Sequence, residues 1–157
     1  MIKVRLKIGD GAVVDTEQQY GFIYLDSDKR VGAPTKGFEK TSYPEEEGEH
    51  ILPKTVDDAF DYKVKFFVQA DSVENANAKI AAFNASLYTK SGDVKTYKSV
   101  TFYNDYKRHK IVGYPSEIAE AEDFWRDPSN QVNDIVIIEW KIRVTEPSLC
   151  DFNLAAV

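Results

Sequence analysis

From Asp61 to Gln69 apolar and polar side chains alternate, with Tyr62, Val64, Phe66 and Val68 on one face. That two-residue period predicts a half-buried strand. Asp71-Ser-Val-Glu74 follows, a short acceptor with Glu three residues on, the pattern of a capping box. The helix it opens carries Val73, Ala76, Ile80, Ala81, Phe83 and Leu87 on a mostly apolar stripe. It is expected to end near 88–90, with Lys90 favourable in the last turn and Ser91-Gly92 as a left-handed cap. The pattern then predicts a strand over 97–103, a turn at Asn104-Asp105 and a hairpin partner over 107–114, which Pro115 ends or places at an edge. A closing strand from about Val132 to Val144 puts Val136, Ile138, Trp140, Ile142 and Val144 on one face, before Pro147.

Upstream, residues 2–8 alternate as a first strand whose Lys3, Arg5 and Lys7 face solvent, ended by the turn signal Gly9-Asp-Gly11. A second strand is predicted over 20–24. From about 31 to 49 the character changes: Pro34, Gly37, Pro44, Gly48 and the run Glu45-Glu46-Glu47 leave little to pack into a core. This stretch reads as a long loop or arm, and loops of that length are usually functional or mobile. Segment 116–125 fits either a short helical turn or an irregular strand. No internal repeat or low-complexity segment interrupts the order.

A chain of 157 residues, 43% hydrophobic, is enough for one well-packed domain, 1–157, and short for two. Nine Tyr and nine Phe suit strands that bury rings. The expected fold is mainly β in the α+β sense: an antiparallel β-sandwich or partly closed barrel with one packed α-helix. A net charge of -6 without a basic block argues against nucleic-acid binding by phosphate neutralisation. The amino-terminal run has charges inside every apolar stretch, and no run reaches the roughly 18–20 apolar residues of a bilayer span. Synthesis in the cytoplasm as a soluble chain is expected, with no membrane partner.

Candidate chemistry is sparse. Cys150 is the single cysteine, so no intrachain disulfide or thiol-rich metal site is expected; its bland role is a small hydrophobe near the end of the last strand. A Cys–His nucleophilic pair would need His50 or His109 beside it, and nothing local prepares either; His109 sits among Lys107, Arg108 and Lys110, which favour its neutral form. Asp26-Ser-Asp28 and Glu45-Glu46-Glu47 lack the ordered oxygen series of a calcium loop. Gly9-Asp-Gly11 lacks the third glycine and following helix of a phosphate loop. Phe66, Phe102 and Trp140 are expected in the core, whereas Phe38, Tyr43, Tyr106 and Tyr114 are candidates for the surface. No enzyme activity, cofactor or metal is expected.

Gly48-Glu-His-Ile-Leu-Pro53, Phe60-Asp-Tyr-Lys-Val-Lys-Phe-Phe-Val68 and the helix from Ala76 to Leu87 resemble tail proteins of long-tailed bacteriophages and prophages, in particular the N-terminal domain of the distal tail protein family. The order of arm, strand, helix, hairpin with a Gly-aromatic step (Gly113-Tyr114) and closing strand carries the resemblance over about residues 1–145. The segment up to Tyr24 matches less well, which keeps tail-tube and tail-completion proteins as neighbours. No counterpart of the C-terminal galectin-like domain of longer members is expected in these residues.

The resemblance implies a structural subunit in the virion tail that assembles into a homo-oligomeric ring, commonly a hexamer, and contacts other tail proteins. The 31–49 arm would order on an adjacent subunit through Phe38, Tyr43, Glu45, Glu46 and Glu47, and the hairpin tip would offer Tyr103, Asn104, Tyr106 and Tyr114. Tail tubes imply a negatively charged lumen, for which Glu45 to Glu47 are candidates. The rival expectation is a monomeric all-β module that binds carbohydrate or peptide through surface aromatics.

Overall fold

The computed structural model describes residues 4–36, 39–41, 47–48, 50–52, 56–118, 121–126 and 134–155; for 39–41, 50–52, 121–126 and 134 the backbone alone is described. The elements in chain order are β1 (Val4–Ile8), β2 (Val14–Asp15), α1 (Thr16–Tyr20), β3 (Phe22–Ser27), β4 (Glu39–Thr41), β5 (His50–Leu52), β6 (Phe60–Ala70), α2 (Val73–Ser86), β7 (Tyr88–Ser91), β8 (Val94–Tyr97), β9 (Val100–Asn104), β10 (His109–Pro115), β11 (Ala121–Arg126) and β12 (Asp134–Val144). A 3₁₀ turn, Pro147–Leu149, follows. The fold is mainly β and antiparallel, with one main helix, as the alternation predicts.

The main sheet has the order β2-β1-β9-β10-β12-β6-β3, with β11 on the same side of β12 as the end of β10. Among the described residues its end strands β2 and β3 do not pair, so it is an open sheet and not a barrel. It folds over on itself instead. His109 to Gly113 of β10 pair with β9, and Tyr114 and Pro115 pair with Arg143 and Ile142 of β12. One strand therefore belongs to both layers and turns the corner at Gly113. A Cβ on Gly113 would lie 2.9 Å from both the carbonyl carbon of Arg143 and Cγ2 of Ile142, and closer still to the Arg143 oxygen. The glycine of the Gly-aromatic step is thus a close approach of two backbones.

Between the layers lies one core. From one side come Val4, Leu6, Val100, Phe102 and Ile111; from the other Tyr62, Val64, Phe66, Val68, Val136, Ile138, Trp140 and Ile142. Phe102 faces Tyr62 at 6.1 Å and Phe66 edge-on at 6.4 Å. Strands β6 and β12 pair along eleven residues, Phe60 against Val144 through Ala70 against Asp134, and the alternation puts both apolar sets on the inner face. Helix α2 covers one end: Phe83 meets Trp140 edge-on at 5.3 Å and Phe22 at 4.8 Å.

Four expectations need correction. The N-cap of α2 is Ser72, whose Oγ accepts from Asn75 N–H at 3.2 Å, so Asp71 and Glu74 form no capping box. Only Ala76 and Phe83 of the helix are fully buried, with Leu87 at its cap; Val73 and Ala81 face outward. The helix stops at Ser86, and residues predicted as its last turn form the β7–β8 hairpin, with Gly92 at φ +60° in the turn. The predicted strand over 97–103 divides into β8 and β9. Segment 116–125, open between helix and strand, supplies β11. An additional short helix, α1, is capped by Asp15, which accepts from Glu17 and Gln18 N–H, and ends at Gly21 with φ +72°.

Candidate functional site: strand edges, arm root and outward face

The arm has a built root. Thr35 pairs with Asp57, Lys36 N–H donates to Val56 at 2.9 Å, and Asp58 N–H donates to Pro34 at 2.6 Å. Beyond it β4 and β5 pair, Glu39 with Leu52 through Thr41 with His50. The 31–49 stretch is therefore a hairpin-bearing excursion and not a bare loop. Of the predicted arm residues Glu47 is exposed, while Phe38, Tyr43, Glu45 and Glu46 lie outside the described residues.

The β9–β10 tip is held from below. Asn104 is fully buried: its amide donates to Tyr24 Oη at 3.0 Å and Ser27 Oγ at 3.1 Å, and its Oδ1 accepts the N–H groups of Tyr106 and Lys107. It shapes the turn and presents nothing outward, contrary to its expected role as a tip contact. Tyr103 is half-buried beneath the Arg5 guanidinium, 5.0 Å from the ring centre, and Arg5 also donates to Asp105 at 2.8 Å. Tyr106 is exposed at the tip, whereas Tyr114, also exposed, lies at the other end of β10 near the layer corner. The four predicted contacts do not form one cluster.

Sequence reasoning missed the polar lock beneath the tip. Tyr62 Oη lies 2.7 Å from His109 Nδ1 and 3.1 Å from Ser27 Oγ; His109 Nε2 lies 2.8 Å from the Arg30 carbonyl oxygen. Lys107 donates to the Asp26 carboxylate and the Ser27 carbonyl. The lock ties β3, the start of the arm and β6 to the hairpin across as many as 81 residues of chain. Burial lifts the Tyr62 hydroxyl far above its ordinary range. Burial also depresses the His109 pKa below 6.5, the Arg30 carbonyl opposes this, and the Lys107 charge adds to it. The neutrality expected of His109 thus has burial as its main cause.

The sign of the linkage follows. Unfolded chains take up a proton near pH 6.5 that the folded chain takes up only at lower pH, so the stability is present above 6.5 and is lost as pH falls toward the folded value. Urea melts are expected to show a falling midpoint from pH 7 to about pH 5, above the ordinary carboxylate range. The slope should flatten in His109→Gln, and an identical slope in both proteins would assign the dependence elsewhere.

Among the described residues no strand pairs with the outer edge of β3 or of β11, so the four strands β11-β12-β6-β3 end in two unpaired edges. The outward face of these strands is graded. Ile23, Phe67 and Ile137 form one cross-strand row, with Ile135 beside it, all half-buried. Further along lie Lys63 opposite Lys141 and Asp61 opposite Arg143, all exposed, with Lys65 opposite Glu139. Asp26 of β3 stands opposite Lys65 on the same face, and Arg143 is ion-paired with Asp61 at 3.3 Å, so this end carries four cations with three carboxylates and the Lys63–Lys141 pair is its like-charged feature.

Cys150 is half-buried against Val112, and burial raises its thiol pKa. Among the described residues no group of three His, Cys, Asp or Glu side chains could hold a metal ion, and no helix is long and apolar enough to cross a membrane. An open groove of about 600 Å³ lined by Glu17, Gly21, Ile23, Gln69, Asp71 and Lys79 contains no aromatic ring.

No protein-family model matches the sequence. No curated protein sequence matches it either. Among solved structures the fold is similar to that of SPP1 Dit (gp 19.1), described as a paradigm of the hub adsorption apparatus in phages that infect Gram-positive bacteria, with a TM-score of 0.56 and 14% identity. The similarity covers 92% of this chain and 50% of SPP1 Dit, so the chain spans about half the length of that protein. The likeness is one of fold: nearly the whole chain follows the backbone of part of that phage protein.

Proposed function

We propose that this chain is a structural subunit of a phage or prophage tail that assembles with copies of itself into a ring and contacts other tail proteins, with no catalytic role. One observation carries the proposal: 92% of the chain follows the fold of a phage hub protein. The unpaired edges of β3 and β11 give the assembly a physical route. Two edges that differ in sequence favour heterologous contact, β3 of one copy against β11 of the next, and a rotation that closes makes a ring. Pairing there extends the four-stranded sheet from copy to copy through main-chain hydrogen bonds. The hairpin-bearing arm, rooted beside β3, then reaches over a neighbour.

Light scattering across a concentration series is expected to find a species several times the 17.8 kDa of one chain. Because residues 33–36 belong to the root, the informative deletion replaces residues 38–54 by two glycines. That variant should keep the circular-dichroism spectrum and cooperative melt of the parent while the large species weakens. An unchanged oligomer would remove the arm from assembly, and a chain monomeric at every concentration would turn attention to peptide and glycan binding at Tyr106 and Tyr114.

A further inference from the structure

Lys63 and Lys141 stand directly opposite each other on β6 and β12, both exposed, and among the described residues neither has a carboxylate within ion-pair distance. Like charges directly opposite on a sheet destabilise it. An acidic chain that keeps such a pair presents a local cationic spot against its overall charge, while Arg143 beside it is ion-paired with Asp61 at 3.3 Å. Four positions along each strand the same face turns apolar at Phe67 and Ile137. At about 3.3 Å per residue the two patches are separated by about 13 Å.

We infer that this outward face is the seat of the arm of a second copy of the chain, with Glu45-Glu46-Glu47 on Lys63 and Lys141 and Tyr43 on Phe67 and Ile137. The inference rests on the self-assembly proposed above. Glu45 to Glu47 is the longest uninterrupted acidic run in the sequence, and Tyr43 precedes Glu46 and Glu47 by three and four positions. An extended stretch of that length spans about 10–13 Å, which matches the separation of the two patches. Composition, sign and spacing therefore agree between one named segment and one named face. The carboxylates would neutralise the lysine pair, and the ring would cover apolar surface that a lone chain leaves half-open.

The test uses the full chain in four forms: parent, Lys63→Glu with Lys141→Glu, the triple variant E45K/E46K/E47K, and all five changes together. Sedimentation velocity would be run at about 0.1 M and about 1 M salt, where the screening length falls from about 10 Å to about 3 Å. Alongside, fluorescence anisotropy would follow a labelled peptide of residues 38–49 added to each form. Each partial reversal should weaken association by about tenfold or more, the five-fold variant should recover it, and high salt should erase the difference. The peptide should bind the parent and not the Lys63→Glu, Lys141→Glu form.

An oligomer indifferent to both reversals, with no peptide bound, overturns the inference and leaves assembly standing. A monomeric chain that still takes up the peptide through Lys63 and Lys141 removes the ring and keeps the seat. Peptide bound only by the triple variant places the chain's own arm on the face and overturns the assignment to a second copy. A monomeric chain that ignores the peptide overturns both readings.

Discussion

Gly113→Ala is expected to cost about 3 kcal/mol or more, an overpacking penalty at the upper end of its usual range. The cause is specific. The added methyl would stand 2.9 Å from the Arg143 carbonyl carbon and nearer its oxygen, and backbone atoms in a sheet ladder cannot step aside as a side-chain end can. Relief would require β10 to move off β12 at the point where it passes between layers, and Ser116 N–H, which donates to Lys141 at 3.0 Å, holds the next residues in place. For a chain of this size, 3 kcal/mol lowers the melting temperature by about 6–12 °C. Differential scanning calorimetry with urea melts checks this. A variant within about 0.5 kcal/mol of the parent, the usual size of a neutral surface change, would show that the two backbones do not meet as described.

Where the pattern was strong and uninterrupted, the sequence was legible. Strand β6 runs Phe60–Ala70 against a predicted 61–69, and β12 runs Asp134–Val144 against a predicted start near Val132. Both strands bury one face and expose the other, so a one-residue slip would turn every large side chain outward, and period alone fixes the register. Local chemistry with two solutions was not legible. Asp71 and Ser72 are both competent caps, and the extended backbone at Ser72 decides between them. Ser91-Gly92 suits a helix end and a hairpin turn equally; the pairing of the Tyr88 and Tyr97 rings at 5.5 Å accompanies the hairpin. The short α1 did leave a signal, Asp15 three residues before Gln18 with Gly21 beyond, but five residues are too few for a period.

The candidate assembly features were the least legible because they depend on pairs remote in the chain. Lys63 and Lys141 are unremarkable apart, and become a like-charged pair only once β6 and β12 are aligned. His109 and Tyr62 are 47 residues apart, so the lock that buries Asn104 beneath the hairpin tip has no local signature. Asn104 was correctly placed at the turn. Its burial follows from Tyr24 and Ser27 on β3 rising to meet it, which a hairpin considered alone does not reveal.

Trp140→Ala is expected to destabilise the fold by about 3–5 kcal/mol, the range for removing a large buried aromatic. Trp140 is fully buried among the inward residues of β12, edge-on to Phe83 of α2, and its indole N–H donates to the Ser116 carbonyl at 2.6 Å. Truncation therefore leaves three defects: a void beneath α2, a Phe83 ring that keeps Phe22 and Tyr20 but loses its third aromatic neighbour, and an unpaired carbonyl where β10 leaves the layer corner. Trp140→Phe separates them, because it keeps most of the ring volume and loses the N–H. Its expected cost is the hydrogen-bond part, about 1–3 kcal/mol. Trp140→Ala also reports on the helix, since α2 buries little besides Ala76, Phe83 and Leu87 and so loses one of few docking contacts, keeping that of Phe83 with Phe22. Hydrogen exchange in Trp140→Ala should accelerate in α2 before it does in β6 and β12, whose eleven-residue ladder is independent of the indole. A loss well below 1 kcal/mol would mean that Trp140 faces outward, and the whole inward set from Val136 to Val144 would then be shifted by one residue.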